Sequence, residues 1–265
     1  MAVVTFLSDY GLHDDFVGVC HGVMARVAPE VRVIDVAHGI SRHDVRAGAL
    51  VLRRALPYMP PGVHLAVVDP GVGTTRRAVA LRCANEERLL VGPDNGLLMA
   101  AAERFGGVAQ AVDVGRSPLR LEPVSASFHG RDVFAPVAAS LAAGMALEQA
   151  GEPVRVDGLA TLELPRAHVT AEGLRAHVLQ ADAYGNVVLD AEPGQLADAG
   201  LRPGGRLTVN GRPALHATTF ADVPEGGLLL YEDGFRSPAL AVNRGSALAA
   251  LGLALDDDVL IAPAR

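Results

Sequence analysis

Three short, uninterrupted apolar runs constrain this chain more than any other feature: AVVTFL (2–7), VRVIDV (31–36) and VHLAVVD (63–69). Valine-rich runs without polar alternation read as strands covered on both faces, the habit of a parallel sheet. Between them lie amphipathic stretches of helical length. DDFVGVCHGVMARVA (14–28) begins with an acidic cap and first turn that suit the helix dipole. HDVRAGALVLRRALPYM (43–59) has Asp44 as its expected cap, arginines in its later turns and a stop by Pro57. Strand–helix–strand alternation implies right-handed crossovers and a mainly parallel sheet. RLLVG (88–92), NGLLMAAAERFG (95–106) and RDVFAPVAASLAAG (131–144), which closes on glycine, continue the pattern.

From about residue 170 the texture changes. HVLQADAYGNVVLD, RLTVNGRPALHATTF and GLLLYEDGFRSPALAV are paired short strands around turn residues, and DVLIAPAR is a final strand. Asn210-Gly211 is a two-residue hairpin signal. The expectation is an α/β catalytic domain over 1–165 and a smaller antiparallel, all-β, barrel-like domain over 170–265, with the linker within 151–167.

Composition removes several functions. The formal charge of -7 disfavours a nucleic-acid partner, which calls for a basic stripe. All 23 basic residues are arginine, so there is no Schiff-base lysine and no phosphate loop of the G-x-x-x-x-G-K type. Cys20 and Cys83 have no C-x-x-C spacing and read as two reduced, buried thiols. The apolar stretches, ALAALGLAL among them, fall short of the roughly 20 residues a membrane span needs. AVVTFL is preceded by no basic segment, so the sequence predicts a cytoplasmic protein without a secretory signal.

Four acids fall within or just after predicted strands: Asp9, Asp35, Asp69 and Asp94. Ligands bind at the carboxyl edge of open parallel sheets, so carboxylates gathered there suggest a site. Each of them taken singly reads as well as the cap of a following helix. DPGVGTTRR (69–77) is the most unusual of these loops. Proline and two glycines force a tight backbone path, and the paired arginines follow closely enough for one guanidinium to fold back onto Asp69. Such a pair orients water or recognises an anion. SASFHGRD (125–132) supplies His129, a glycine that lets a substrate approach, and Asp132 at a helix start. Ser125 and Ser127 lack the G-x-S-x-G elbow of serine hydrolases. His13, Asp14, Asp15 and His21, or His38, His43 and Asp44, offer metal-ligand residue types without a recognised ligand spacing, so structural roles are expected and no metal or other cofactor is.

Together these segments resemble the S-adenosylmethionine hydroxide adenosyltransferase family, relatives of the fluorinating and chlorinating enzymes. The resemblance runs through LSDYGLHDDFVG, VIDVAHGISRHDVRAGA, VVDPGVGTTRRA, VGPDNGLL, SFHGRDVFAP, DAYGNVVLD, TFADV and AVNRGSA, in order and over nearly the whole chain. It implies hydrolysis of S-adenosyl-L-methionine to adenosine and L-methionine, with Asp69, Arg76 and His129 as the catalytic set. Halide-using relatives replace the aspartate and lack the His-Gly, so this chain resembles the water-using branch. The resemblance further implies that Asp9 holds the ribose hydroxyls and that Asp14 and Asn95 stand at the substrate. It gives Asp182 and Asn186 the methionine end, Phe220 the adenine ring, and Asn243 and Arg244 the adenine edge. Phe16 stands where fluorinating relatives have a serine, so that contact is not carried over. A homotrimer with sites at subunit interfaces is implied as well.

The chemistry agrees with this branch. Displacement at the ribose 5′ carbon expels a neutral thioether from a sulfonium, so the leaving group needs no acid. The demand is to hold and activate water in line. A halide beside Asp69 would face like-charge repulsion in a dry pocket. Three other readings stand beside it: a nucleoside-binding sensor without turnover, halide-using adenosyl transfer, and a metal-dependent hydrolase. Sequence leaves open which of the three catalytic residues takes the proton.

Overall fold

A computed structural model describes residues 2–264. The chain forms two compact units that divide at Leu162–Glu163. The first contains β1 (Val3–Ser8), α1 (Phe16–Val27), β2 (Arg32–Ala37), α2 (Val45–Ala55), β3 (Gly62–Val67), β4 (Ala78–Cys83), β5 (Arg88–Pro93), α3 (Met99–Arg104), β6 (Val108–Asp113), α4 (Ala135–Ala142) and β7 (Glu152–Val154).

Its sheet has the order β2-β1-β3-β5-β4-β6-β7. Strands β2, β1, β3 and β5 pair in parallel, while β4 enters antiparallel between β5 and β6, and β7 is antiparallel to β6. The expected parallel sheet is present, and it carries an antiparallel extension. Both faces are covered. Val4, Phe6, Val63 and Leu65 pack with Val17, Cys20, Met24 and Val137 of α1 and α4. Leu7, Ala66, Leu81 and Leu90 pack with Leu52 of α2, Ala101 of α3 and Leu98 at the N-cap of α3. This double burial is why β1 and β3 read as unbroken apolar runs; β2 departs from that expectation, lying at the sheet edge with Arg32 and Asp35 exposed.

The helix ends follow local chemistry. Asp44 caps α2 by accepting from the Ala47 amide at 2.8 Å. Asp15 occupies the N-cap of α1 without a side-chain cap bond, and the first turn from Phe16 holds no acid, so the expected acidic first turn is absent. Before α4 the chain makes one π-helical turn, Gly130–Phe134. Pro136 has no amide hydrogen to give the Asp132 carbonyl four residues back, and the Leu121 amide takes that carbonyl instead, at 2.8 Å.

The second unit contains β8 (His168–Thr170), β9 (Gly173–Ala181), β10 (Val187–Leu189), α5 (Pro193–Asp198), β11 (Arg206–Val209), β12 (Arg212–His216), β13 (Leu228–Glu232), β14 (Pro238–Val242), α6 (Ala247–Leu251) and β15 (Asp258–Pro263). Seven strands close a barrel in the order β10-β14-β13-β12-β11-β15-β9, with β9 pairing back to β10 and β8 attached beside β9. Leu174, Val178, Val187, Val209, Leu230, Leu240 and Ile261 belong to its core. The Asn210-Gly211 turn joins β11 to β12 with both residues at positive φ, +47° and +77°, as a type I′ hairpin requires. One pairing departs from the antiparallel expectation: β12 and β13 are parallel, because the long 217–227 connection crosses back instead of turning tightly. Among the described residues no helix is long and apolar enough to cross a membrane.

Candidate active site

The four strand-end acids separate into different environments. Asp9 directly follows β1 and Asp69 lies two residues beyond β3, and both line one cleft of about 360 Å³. Asp35 instead faces His21 and His38. Asp94 is held by Arg77, and it also accepts from the Ala160 amide at 2.8 Å.

Asp69 and Arg76 form a forked ion pair. Arg76 Nε donates to Asp69 Oδ1 at 2.8 Å, and Nη2 makes a shorter bond to Oδ2. The same Nη2 donates to His129 Nδ1 at 3.2 Å. A guanidinium only donates, so His129 Nδ1 is an acceptor and the neutral ring carries its hydrogen on Nε2. The Arg76 guanidinium also lies 5.3 Å from the Phe134 ring centre. Burial lowers the His129 pKa below its usual 6.5, and the Arg76 charge pushes it in the same direction.

Two loops must meet for this arrangement to exist. Thr74 Oγ1 donates to the Gly71 carbonyl at 2.7 Å, which tightens the first loop. Gly73 adopts φ +77°, and a Cβ there would stand 2.5 Å from the Ala126 carbonyl oxygen. The two backbones therefore touch at a point only glycine permits. On the other side, nearly buried Asp132 accepts from the Ser125 amide at 2.8 Å and from Arg131 Nε at 2.6 Å, which fixes the loop that carries His129.

The rest of the cleft comes from Tyr10, Asp14 and Phe16 after β1, Arg42 and His43 after β2, Val72, Ser127 and Gly130. Asp9 Oδ2 accepts from the His43 amide at 3.0 Å, with His43 at φ +66°. Tyr10, Phe16 and Phe128 pack edge-on or tilted, with ring centres 5.1–5.8 Å apart. Sequence reasoning did not single out Tyr10 or Arg42. Tyr10 directly follows Asp9 at a strand end, which was the available signal. Arg76 lies behind Asp69 and His129 and borders a wider, open depression with Arg77, Asp94 and residues 157–160. There Arg77 pairs with Asp94, while Asp157 is taken by Arg155 and Arg76 by Asp69.

Arg77, the second of the paired arginines, turns away from Asp69: Nε donates to Asp94 Oδ2 at 2.8 Å and Nη2 to the Gly158 carbonyl. Asn95 lies outside the lining of the cleft, its Nδ2 donating to the Val68 carbonyl at 2.9 Å and its Oδ1 accepting from the Leu97 amide. The remaining predicted substrate residues belong to the second unit. Asp182 Oδ1 accepts from the Tyr184 and Asn186 amides, and Oδ2 from Asn186 Nδ2 at 2.8 Å, so this pair locks the β9–β10 turn. Phe220 packs on Tyr231 with ring centres 5.2 Å apart. Asn243 Nδ2 donates to the Val223 carbonyl at 2.8 Å. Arg244, at φ +56°, reaches Glu225 at 3.2 Å.

Residues 4–151 match the SAM hydroxide adenosyltransferase N-terminal domain, and residues 176–260 match the C-terminal domain of the same family. An (R)-S-adenosyl-L-methionine hydrolase from Salinispora arenicola is 49% identical over 258 residues, 97% of each chain. A fluorinase from Nocardia brasiliensis is 29% identical over 92% of this chain and 91% of its own. The crystal structure of an uncharacterized protein from Thermotoga maritima superposes with a TM-score of 0.91, at 34% identity, over 98% of this chain and 99% of that one. With both domains matched and the fold shared, the chain belongs to the SAM hydroxide adenosyltransferase family.

Proposed function

We infer that the protein hydrolyses S-adenosyl-L-methionine to adenosine and L-methionine. The observation that carries this reading is the hydrogen-bonded chain Asp69–Arg76–His129, with Asp69 and His129 both facing the cleft that Asp9 and Asp14 share. The Salinispora relative's name specifies the (R) substrate, and we extend that to this chain. The reaction consumes one water: its oxygen bonds to the 5′ carbon, the carbon–sulfur bond breaks, methionine leaves as a neutral thioether and one proton is released.

In this reading Asp69 and His129 hold the water between them. His129 donates through Nε2, and Asp69 keeps lone pairs beyond those Arg76 occupies, so the carboxylate takes the proton. Arg76 fixes both partners through its hydrogen bonds. Asp9 and Asp14 serve the ribose side. By resemblance, Asp182 and Asn186 hold the methionine end, Phe220 stacks on adenine, Asn243 and Arg244 meet its edge, and Asn95 supports the loop. The proposal includes a cytoplasmic homotrimer with sites completed at subunit interfaces. The free, buried thiols of Cys20 and Cys83 are consistent with a reducing compartment.

The test is product analysis of purified protein with the substrate in buffers containing chloride or fluoride. Adenosine and methionine in equal amounts, with no 5′-halogenated nucleoside, are expected. Tight calorimetric binding with no adenosine over hours would replace this reading with a sensor, and a 5′-halo product would replace it with halide transfer. Native mass measurement tests the trimer.

A further inference from the structure

Away from the Asp69 cleft, three metal-ligating side chains converge where α1 crosses the β1–β2 edge. His21 Nε2 lies 2.8 Å from Asp35 Oδ1, and His38 Nε2 lies 3.0 Å from the same oxygen. The three ligand atoms are within 4.8 Å of one another, the one such group among the described residues. His38 is the telling member. It is 5% exposed, its Nδ1 is bonded to Ser8 Oγ at 2.7 Å, and its buried Nε2 makes no hydrogen bond despite the carboxylate beside it. The nitrogen touches the Asp35 carboxylate without the alignment of a good hydrogen bond, which leaves a buried polar atom poorly satisfied.

We propose that His21, Asp35 and His38 bind a divalent transition-metal cation of the zinc–cobalt class through two imidazole nitrogens and one carboxylate oxygen. At tetrahedral metal–ligand bonds of about 2.1 Å, ligand atoms stand about 3.4 Å apart, so an ion would replace the His21–Asp35 hydrogen bond and spread the present 2.8 and 3.0 Å spacings by about half an ångström. Two imidazoles with one carboxylate select borderline metals over magnesium or calcium. The Ser8–His38 contact is the outer hydrogen bond that metal-bound histidines use to fix ring and tautomer. Phe6 backs the site, with ring centres 4.7 Å from His38 and 6.1 Å from His21. Asp35 and His21 are partly open to solvent, which leaves positions for water and a path of entry. The ion takes no part in hydrolysis. It ties α1 to the end of β2, next to the segment that the Gly11 amide holds against the His38 carbonyl at 2.7 Å.

The experiment is calorimetric titration of tag-free, chelator-treated protein with zinc chloride and with cobalt chloride, alongside thermal melts. One ion per chain and a raised Tm are expected for wild type, with magnesium chloride giving neither. His21→Ala and Asp35→Asn, both at partly exposed positions, should each weaken zinc binding by about tenfold or more and abolish the Tm rise, while their metal-free melts show them folded. No saturable binding to wild type, or wild-type affinity in both folded variants, would overturn the proposal.

Discussion

Substitution of Gly130 by alanine tests whether the cleft is built as tightly as its geometry states. The backbone of Gly130 is helical, so alanine brings no φ penalty, and its higher helix propensity would stabilise the turn slightly. Any loss is therefore steric. The added methyl would stand 3.0 Å from Tyr10 Cζ and 3.3 Å from Cε2, and nearer still to the hydroxyl oxygen. Ordinary contacts lie at about 3.5–4.0 Å, so the ring must retreat by roughly an ångström. Its path is blocked by Phe6, Phe16 and Phe128, whose ring centres lie 6.4, 5.7 and 5.8 Å away. Overpacking of this kind costs about 1–3 kcal/mol. A displacement near 1 Å beside Asp9 and His129 costs about 10²-fold in kcat/KM. Adenosine release under substrate-limited conditions, with melts of each variant, reads both effects. Tyr10→Phe removes the closest atom, so the double variant should recover most of what Gly130→Ala loses relative to Tyr10→Phe alone, a coupling that independent sites would not show. Wild-type kcat/KM and Tm in Gly130→Ala, or a double variant no better than it, would refute the reasoning.

Asp69→Asn should reduce turnover by at least about 10²-fold. It should also cost about 3 kcal/mol, because the Arg76 and Asp69 side chains are only 11% and 6% exposed and the guanidinium would lose its counter-charge; unchanged adenosine release would remove Asp69 from the mechanism. His129 should titrate below 6.5 by NMR, and Arg76→Gln should move that pKa upward, since it deletes a charge that lowers it and unmasks Asp69. Between its folded and unfolded pKa the unfolded chain binds more protons, so this histidine makes stability rise with pH up to about 6.5 and withdraws that support as pH falls through the folded value; a midpoint at or above 6.5 in wild type would contradict the stated burial. Gly211→Ala forces a side chain into the left-handed region at φ +77° and should cost the barrel about 1–2 kcal/mol, read by denaturant melts, with no effect beyond error counting against the type I′ turn.

The parts of this molecule written in short sequence windows were legible. Double-sided burial left its mark on β1 and β3 as continuous valine-rich runs, whereas β2, at the sheet edge, has no fully buried residue despite its similar texture, and Asp44 and Asn210-Gly211 announced a cap and a turn. The insertion of β4 between β5 and β6 was not legible, because AVALRC has the same apolar texture whichever way it runs. The parallel β12–β13 pair was hidden for the same reason. At the site, two unusual loops pointed to Asp69, one of the paired arginines and His129, the family resemblance picked out Arg76, and the structure brings the three into one hydrogen-bonded chain. Tyr10 escaped notice because its role depends on Gly130, 120 positions away in sequence. The His21–Asp35–His38 group escaped for a related reason: sequence reasoning set His21 beside Asp14 and Asp15, its neighbours in the chain, whereas the crossing of α1 over the sheet edge decides its real company.

The meeting of Gly73 with the Ala126 carbonyl has a bearing on motion. With the two backbones in van der Waals contact and no side chain between them, the loops bearing Asp69 and His129 have no compressible layer to absorb a change of angle. They are obliged to fluctuate as one body, and the distance between carboxylate and imidazole is insulated from the breathing of either loop alone. Amide exchange in the two segments should accordingly rise and fall together, and whatever opens to admit substrate or release adenosine must do so along another wall of the cleft.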